Sequence, residues 1–238
     1  MKTKDKKEIK IIHEDKNILV INKPAGLMVH SDGKTKEKTL VDWLVKKYPS
    51  IKKVGDEPEL RPGIVHRLDR GTSGVLIIAK NQKTFEELKN QFQERSVKKI
   101  YEAIVWGWLK EERGTISASI GRSPKFGKFS AGRGKRGTIR EAVTEYKVLK
   151  KFTDNKNNKW SHVEVYPKTG RTHQIRVHFN YINHPVACDA LYGGEKCLPK
   201  INRLALHAAT IEFVTGNKKM RFKAPLPPDF KKALDSIK

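Results

Sequence analysis

The sequence is poor in cysteine, in acidic side chains and in long apolar runs. It has only two cysteines, Cys188 and Cys197, which provide no disulfide framework and fit a reducing cytosol. No apolar run approaches the roughly 20 residues of a membrane span. The charged segment 1–10 lacks the apolar core of a signal peptide. These shortages predict a soluble, cytoplasmic protein that does not cross a membrane.

The shortage of acidic residues leaves a large positive excess. Lysine and arginine number 50 against 26 aspartates and glutamates, which gives a formal net charge of +24. Such an excess favours polyanionic partners and fast, salt-sensitive association with them. Nucleic acid is the first candidate partner, and an anionic membrane surface is the second.

Many short apolar strands and few helices follow one another along the chain. The predicted strands are 11–12, 18–21, 75–79, 100–108, 114–120, 142–152, 160–166, 204–214 and 220–222. The predicted helices are 39–48, one from a Thr84/Glu87 capping box through Arg95, one capped by Thr172, and one capped by Asp229. Runs of strands without intervening helices predict an α+β fold with a central mixed, mostly antiparallel sheet flanked by helices. They argue against a doubly wound nucleotide fold.

Two polar segments concentrate groups that can carry out chemistry. The first, GIVHRLDRGTSG at 63–74, places Asp69 among basic side chains and among glycines that let a ligand approach the backbone. The second, KTGRTHQIRVH at 168–178, presents Gln174 and Arg176 near a predicted helix N-terminus, which favours anions.

A third segment, 124–140, is rich in glycine, lysine and arginine. Its residues 132–137 match G-x-G-x-x-G, but no apolar strand precedes them and no helix pattern follows, so a dinucleotide site is not favoured. A flexible basic loop that contacts phosphates is the favoured interpretation, and a merely solvated loop is the alternative.

Two other kinds of site fit the composition less well. Ser73, His66 and Asp69 suggest a hydrolase triad, but the G-x-S-x-G elbow is missing and residues so close in sequence rarely form that geometry. His184 and the two cysteines suggest a metal site, but there is no C-x-x-C pair and no obvious fourth ligand. We therefore predict no metal.

The two polar segments resemble signature motifs of one enzyme family. HRLDRGTSG at 66–74 and KTGRTHQIRVHF at 168–179 are similar to the two signatures of the RluA family of pseudouridine synthases. Supporting matches follow in the family's order: NKPAGLMVH at 22–30, KIYEA at 99–103, ALYGG at 190–194 and RLALHA at 203–208. The resemblance implies a pseudouridine synthase fold with a catalytic cleft over 11–238, preceded by a flexible basic tail at 1–10.

The resemblance also implies a reaction and its partners. The enzyme would convert specific uridines of ribosomal or transfer RNA to pseudouridine, as a monomer without an obligate protein partner. Breaking the N1–C1′ bond and making a C5–C1′ bond involves neither redox change nor net hydrolysis, so no cofactor is expected. A carboxylate can attack C1′, attack C6 or assist a glycal route, and the sequence does not choose among these.

Individual roles follow from the same resemblance. Asp69 would be the catalytic aspartate, Tyr101 would stack on the target base, and Arg176 would pair with Asp69. Arg67 would enter the RNA where the target nucleotide has been extruded, and Leu204 would help to wall the pocket. The RNA contacts are expected at His66, Arg67, Arg70, Thr72, Arg171, His173, Gln174, Leu204, Lys128, Arg133, Lys135 and Arg136. Without the family match, Tyr101 and Leu204 would be ordinary core residues.

The sequence departs from the family pattern in two places. Ala187-Cys188-Asp189 stands where the family usually has a glycine before the aspartate. The S4 RNA-binding domain of many relatives has no counterpart before the first motif, so a stand-alone catalytic domain is expected. A non-catalytic RNA-binding module or RNA chaperone on the same fold is the main rival. A methyltransferase would need a glycine-rich cofactor loop after the first strand, and the sequence has none.

Overall fold

A computed structural model describes residues 8–31, 33, 37–125 and 127–235. Most of the predicted basic tail lies outside these residues. The chain forms two compact units. The first unit comprises 1–98 and 208–225, and the second unit comprises 99–207 and 226–238. The single domain that the sequence predicts over 11–238 stays a prediction.

Twelve strands and four α-helices account for the regular structure of the described residues. The strands are β1 (Lys10–Glu14), β2 (Ile18–Lys23), β3 (Ser73–Ala79), β4 (Lys98–Trp106), β5 (Arg113–Ser117), β6 (Ile120–Arg122), β7 (Phe129–Ser130), β8 (Arg136–Arg140), β9 (Val143–Thr153), β10 (Lys159–Pro167), β11 (Leu206–Thr215) and β12 (Lys218–Lys223). The helices are α1 (Leu40–Lys47), α2 (Gln82–Gln93), α3 (Gln174–Tyr181) and α4 (Pro228–Asp235), with a 3-10 turn at Pro49–Lys53. Strands that succeed one another with few helices confirm the predicted α+β class.

The first unit is built on a sheet in the order β1-β2-β3-β11-β12. β2 pairs antiparallel with β1 and β3, and β12 pairs antiparallel with β11. Every residue of β3 is buried, as its unbroken apolar run predicts for a central strand. α1 begins at the predicted place, because Thr39 and Asp42 form a reciprocal capping box there.

The second unit contains the antiparallel sheet β4-β10-β9-β5 and a small sheet β7-β6-β8. α3 packs on the face of the larger sheet that carries Tyr146, whose ring lies 5.7 Å from that of Phe179. Tyr146 pairs with Val165, and Val165 pairs with Tyr101. Because directly paired residues point to the same side, Tyr101 lies on the face that α3 covers.

Three predicted helix starts are wrong. α2 is capped by Asn81, whose side chain accepts the Thr84 N–H at 2.9 Å, and not by Thr84. α3 is not capped by Thr172, since His173 is the N-cap residue, with φ of 56° and no side-chain cap. Asp229 lies inside the first turn of α4 and does not precede it. In the first two cases the side chain that could cap was present, but the chain enters the helix at another residue.

The basic segment 124–140 is more ordered than the sequence predicts. β7 and β8 both lie in it and pair with β6 to form the small sheet. Residues 132–137, the G-x-G-x-x-G match, lead into β8 and not into a helix. This topology excludes the dinucleotide interpretation for the segment, since that motif requires a following helix N-terminus.

The two cysteines form a disulfide, which the cysteine count did not lead us to expect. Cys188 and Cys197 are nine residues apart in sequence, and their Cα atoms lie 4.4 Å apart across one loop. Cys188 adopts a positive φ of 56°, and no sequence pattern indicates the turn that brings the sulfurs together. The bridge also removes both sulfurs as thiolate ligands, which the alternative metal site with His184 required.

Candidate active site

The first polar segment is a loop that leads into β3 and is held by its own backbone. The Thr72 N–H donates to the Asp69 carbonyl at 3.1 Å, and the Gly26 N–H donates to the Arg70 carbonyl at 2.6 Å. Asp69 is half-buried. Gly74 follows at φ +121°, and a Cβ there would lie 2.2 Å from the Ala208 carbonyl oxygen. Only glycine allows this approach, so the loop enters β3 in one fixed conformation.

Lys23 ties two loops of the first unit together. Its side chain is fully buried at the end of β2. The ammonium group donates to the carbonyl oxygens of Pro24 at 3.0 Å, Leu27 at 2.8 Å and Arg70 at 3.4 Å. A lysine at the end of an apolar strand was the available signal, and the sequence analysis did not use it. The buried cation positions the 22–30 motif against the loop that carries Asp69.

The other side chains of the first segment divide between the interior and the surface. His66 accepts the Ile77 N–H through Nε2 at 3.1 Å and stacks on Phe92 at 4.6 Å. This bond commits Nε2 to the backbone and argues against His66 as the base of a hydrolase triad. Arg70 is exposed, and its Nη2 donates to both carboxylate oxygens of Glu37, at 2.7 and 2.9 Å. Thr72 is buried.

The second polar segment is fixed by Gln174, the first residue of α3. Its Oε1 accepts from the Arg171 N–H at 3.0 Å and from the Thr169 hydroxyl at 2.5 Å. Its Nε2 donates to the Val143 carbonyl and the Thr144 hydroxyl, each at 2.9 Å. A side chain that is 4% exposed and makes four such bonds holds the segment against β9.

Arg176 is held by a buried ion pair with Asp189. Its Nε and Nη2 donate to Oδ2 and Oδ1 of Asp189, each at 2.7 Å. The guanidinium lies 5.1 Å from the ring centroid of Tyr192. Asp189 Oδ1 also accepts the N–H groups of Leu191 at 3.0 Å and Tyr192 at 3.2 Å. In the sequence, Asp189 stands out only as part of a departure from the family pattern, which did not indicate this role. The pairing of Arg176 with Asp69 stays a prediction.

Tyr101 and a neighbouring lysine share one face of β4. Tyr101 is half-buried and packs against the core of the second unit. Lys99, two residues earlier, points to the same side. Burial lowers the pKa of the Lys99 ammonium, and a Cβ built on Gly170 of the second segment would lie 4.0 Å from Nζ. Lys99 is therefore a half-buried cation near the second segment, which the K-x-Y alternation could have indicated.

The other predicted contacts of the second unit lie at the second segment and on the small sheet. His173 Nδ1 is 3.0 Å from the Tyr192 hydroxyl, and its ring meets that of Phe129 of β7 edge to face. Arg171 donates through Nε to the Glu141 carbonyl at 3.0 Å. Leu204 is 7% exposed. The basic residues of the small sheet and its turns are Lys128, Arg133, Lys135 and Arg136, of which Arg133 and Arg136 are exposed.

Two further properties bear on the kind of protein. Across the described ranges, no three histidine, cysteine or acidic side chains lie together in a way that could hold a metal ion. No helix in the described part of the chain is long and apolar enough to cross a membrane.

Known proteins resemble this chain in sequence and in fold. The sequence profile of the RNA pseudouridylate synthase family matches residues 17–181. An RNA pseudouridine synthase of Bacillus subtilis is 39% identical over 97% of this chain and 73% of its own length. The ribosomal large subunit pseudouridine synthase D of Pseudomonas aeruginosa is 39% identical over 94% of this chain and 70% of its own. The solved human RNA pseudouridylate synthase domain containing 1 superposes with a TM-score of 0.78 at 28% identity, covering 98% of this chain and 90% of that one.

The α+β fold, the glycine-lined loop of Asp69 and the basic second segment therefore define an RNA-modifying isomerase. The chain belongs to the RNA pseudouridylate synthase family, in its RluA branch, and is an RNA pseudouridine synthase. The predicted pseudouridine synthase fold is thereby confirmed.

Proposed function

We propose that this enzyme isomerises specific uridines of ribosomal RNA, with Asp69 as the nucleophile. The supporting observation is the 39% identity over 94% of the chain to an enzyme named for the large ribosomal subunit. Transfer RNA is the alternative substrate. We further propose that the enzyme acts in the cytoplasm as a monomer without a metal, a cofactor or an obligate protein partner.

The environment of Asp69 suits a nucleophilic carboxylate. The loop is fixed by the Lys23 ammonium and by the Gly26 N–H, both of which bond to the Arg70 carbonyl. A nucleophile held by a rigid backbone loses little freedom when the substrate arrives. Asp69 forms a bond to C1′ as the N1–C1′ bond breaks, or it adds to C6 across the C5–C6 double bond of the extruded uridine, or it takes the C2′ proton as the base departs and a glycal forms.

The remaining residues bind the RNA and shape the pocket in this proposal. Tyr101 stacks on the uracil ring, and Leu204 lines the pocket. Arg176, whose guanidinium Asp189 orients, pairs with the Asp69 carboxylate. Arg67 takes the place of the extruded base, which offsets part of the few kcal/mol that base flipping costs. The other contacts to the RNA come from His66, Arg70, Thr72, Arg171, His173, Gln174, Lys128, Arg133, Lys135 and Arg136.

Tritium release from RNA labelled at C5 of uridine tests the proposal. Forming the C5–C1′ bond expels the hydrogen at C5, so release reports the reaction itself. Ribosomal and transfer RNA, each from cells that lack this gene, are supplied separately, with and without reductant because of the disulfide. Release from ribosomal RNA alone supports the proposal. Release from transfer RNA alone would show that transfer RNA is the substrate instead. No release from either pool, with tight RNA binding, would favour a binding module.

Removing the charge of the half-buried Lys99 should raise the stability of the fold and weaken the electrostatic part of RNA binding. Because burial lowers its pKa, the ammonium opposes folding at neutral pH, and this cost disappears as pH rises from the lowered pKa of the folded state to the usual pKa of lysine. Lys99→Met should therefore stabilise the fold at pH 7 by about 1 kcal/mol. If Lys99 faces a phosphate, the variant should also lower the salt dependence of RNA binding by about 0.7–0.9 in log–log slope.

Urea unfolding and filter binding across a salt series measure the two effects. Lys98→Met, at an exposed neighbour on the opposite side of β4, removes the same charge without the burial and serves as the control. A Lys99→Met enzyme that is less stable than wild type, with an unaltered salt slope, would rule out this role for Lys99.

A further inference from the structure

His30 and Arg67 make a contact that constrains the protonation of both. Nη1 of Arg67 lies 3.0 Å from Nε2 of His30. Arg67 is exposed, and the imidazole is half-buried. A guanidinium is always protonated and can only donate. Nε2 must therefore be the acceptor, which places the ring in its neutral form with the proton on Nδ1.

That tautomer leaves the other ring nitrogen in an unfavourable position. Nδ1 of His30 is buried and has no hydrogen-bond partner among the described residues. Burying an N–H group without an acceptor is unfavourable, because the group loses its hydrogen bond to water. This tautomer leaves the Nδ1–H group of the ring without a hydrogen bond in the described part of the chain. Its one favourable contact there is the hydrogen bond that Nε2 accepts from Arg67.

Burial and the surrounding charges together favour the neutral imidazole. Burial is the largest cause that lowers the pKa of His30, followed by the guanidinium groups of Arg67 and Arg61, and Glu57 opposes them. The backbone that carries His30 is also fixed. Val41 and Leu40 of α1 donate their N–H groups to the carbonyls of Val29 and Met28, at 3.0 and 2.9 Å. A neutral acceptor on a rigid support is suited to hold a mobile side chain.

We propose that His30 is a positioning residue, whose neutral Nε2 holds the Arg67 guanidinium in place for insertion into the RNA. The inference rests on the proposed function, in which Arg67 contacts the RNA. An exposed arginine side chain samples many rotamers and loses that freedom when it is bound. Fixing its direction before the RNA binds reduces the ordering cost of binding. The contact acts on substrate binding and leaves the chemical step unchanged.

Two variants of the full-length chain separate the acceptor from the ring. His30→Gln keeps an acceptor at the reach of Nε2, whereas His30→Phe keeps the ring and removes both nitrogens. We expect KM of His30→Phe to rise by about three- to tenfold, the size of one hydrogen bond to a charged group, with kcat unchanged. We expect His30→Gln to stay within about twofold of wild type. His30→Phe should unfold at no lower urea concentration than wild type, because the unpaired N–H is gone.

A double-mutant cycle with Arg67→Ala shows whether the effect passes through Arg67. In the Arg67→Ala background, His30→Phe should have no further effect on KM. A phenylalanine variant equal to wild type, or one whose defect persists in that background, would overturn the proposal.

The pH dependence gives a second, independent readout. As pH falls through the lowered pKa of His30, the ring becomes a cation against Arg67 and the contact is lost. KM of the wild type should then rise toward that of His30→Phe, while KM of His30→Gln should not show this rise.

The tautomer can be read without any turnover. Long-range ¹H–¹⁵N correlation spectra of the wild type should show a neutral ring protonated at Nδ1. An Nε2-protonated ring would overturn the inference even if the enzyme is active. If the wild type releases no tritium from either RNA pool, the same cycle is measured as Kd for ribosomal RNA. Failure of the proposed function is thereby distinguished from failure of this inference.

Discussion

The Asp69→Asn variant should release no tritium above background from RNA that the wild type modifies. Asparagine preserves the shape of the side chain and its capacity to accept hydrogen bonds, but it has no negative charge with which to attack carbon. Removal of a nucleophile typically costs about 10⁴- to 10⁶-fold in turnover. The loop is held mainly by backbone bonds of Gly26, Arg70 and Thr72, so the variant should fold normally and bind RNA within a few-fold of wild type.

Glu59→Gln removes another carboxylate from the same unit, at an exposed position, and should leave turnover unchanged. Single-turnover assays with enzyme in excess exclude slow product release as the cause of any loss. Asp69→Ala guards against activity from deamidated asparagine. Turnover of Asp69→Ala within about tenfold of wild type would remove Asp69 from the role of nucleophile, since loss of a nucleophile costs far more.

The second large effect is on stability. Asp189→Ala should lower the free energy of unfolding by about 3–5 kcal/mol, because it removes the carboxylate that forms a bidentate pair with a buried guanidinium. Arg176 is 7% exposed and Asp189 is 1% exposed, and two bonds of 2.7 Å join them. The Leu191 and Tyr192 N–H groups lose their acceptor as well. The loss should also distort the pocket and lower turnover. Urea unfolding measures the change in the free energy of unfolding.

The chain provides a matched control for this substitution. Asp229 forms a similar bidentate pair with Arg203, at 2.6 and 2.9 Å, but its side chain is 31% exposed and that of Arg203 is 17% exposed. Because solvent screens this pair, Asp229→Ala should cost only about 1 kcal/mol. Asp189→Asn keeps an acceptor for the Leu191 and Tyr192 N–H groups. Its destabilisation should lie between those of Asp189→Ala and Asp229→Ala. Equal costs for Asp189→Ala and Asp229→Ala would contradict the buried ion pair.

Local patterns were sufficient to predict much of the fold. The unbroken apolar run at 75–79 indicated a buried central strand, and β3 is one. Thr39 and Asp42 share a capping box, and α1 begins there as expected. These features depend on residues within a few positions of each other, so the sequence alone contains the necessary information. The two nine- to twelve-residue motifs likewise indicated the family without any knowledge of the structure.

Contacts between distant residues were decided only by the tertiary structure. The Lys23 ammonium reaches the Arg70 carbonyl across 47 positions, and His30 meets Arg67 across 37. The disulfide depends on a turn at Cys188 that no periodicity indicates. Helix starts at Asn81 and His173 replaced equally plausible caps nearby. Composition and periodicity determine which elements form, but the partner of a buried charge depends on which loops the completed fold brings together, and that is a property of the whole chain.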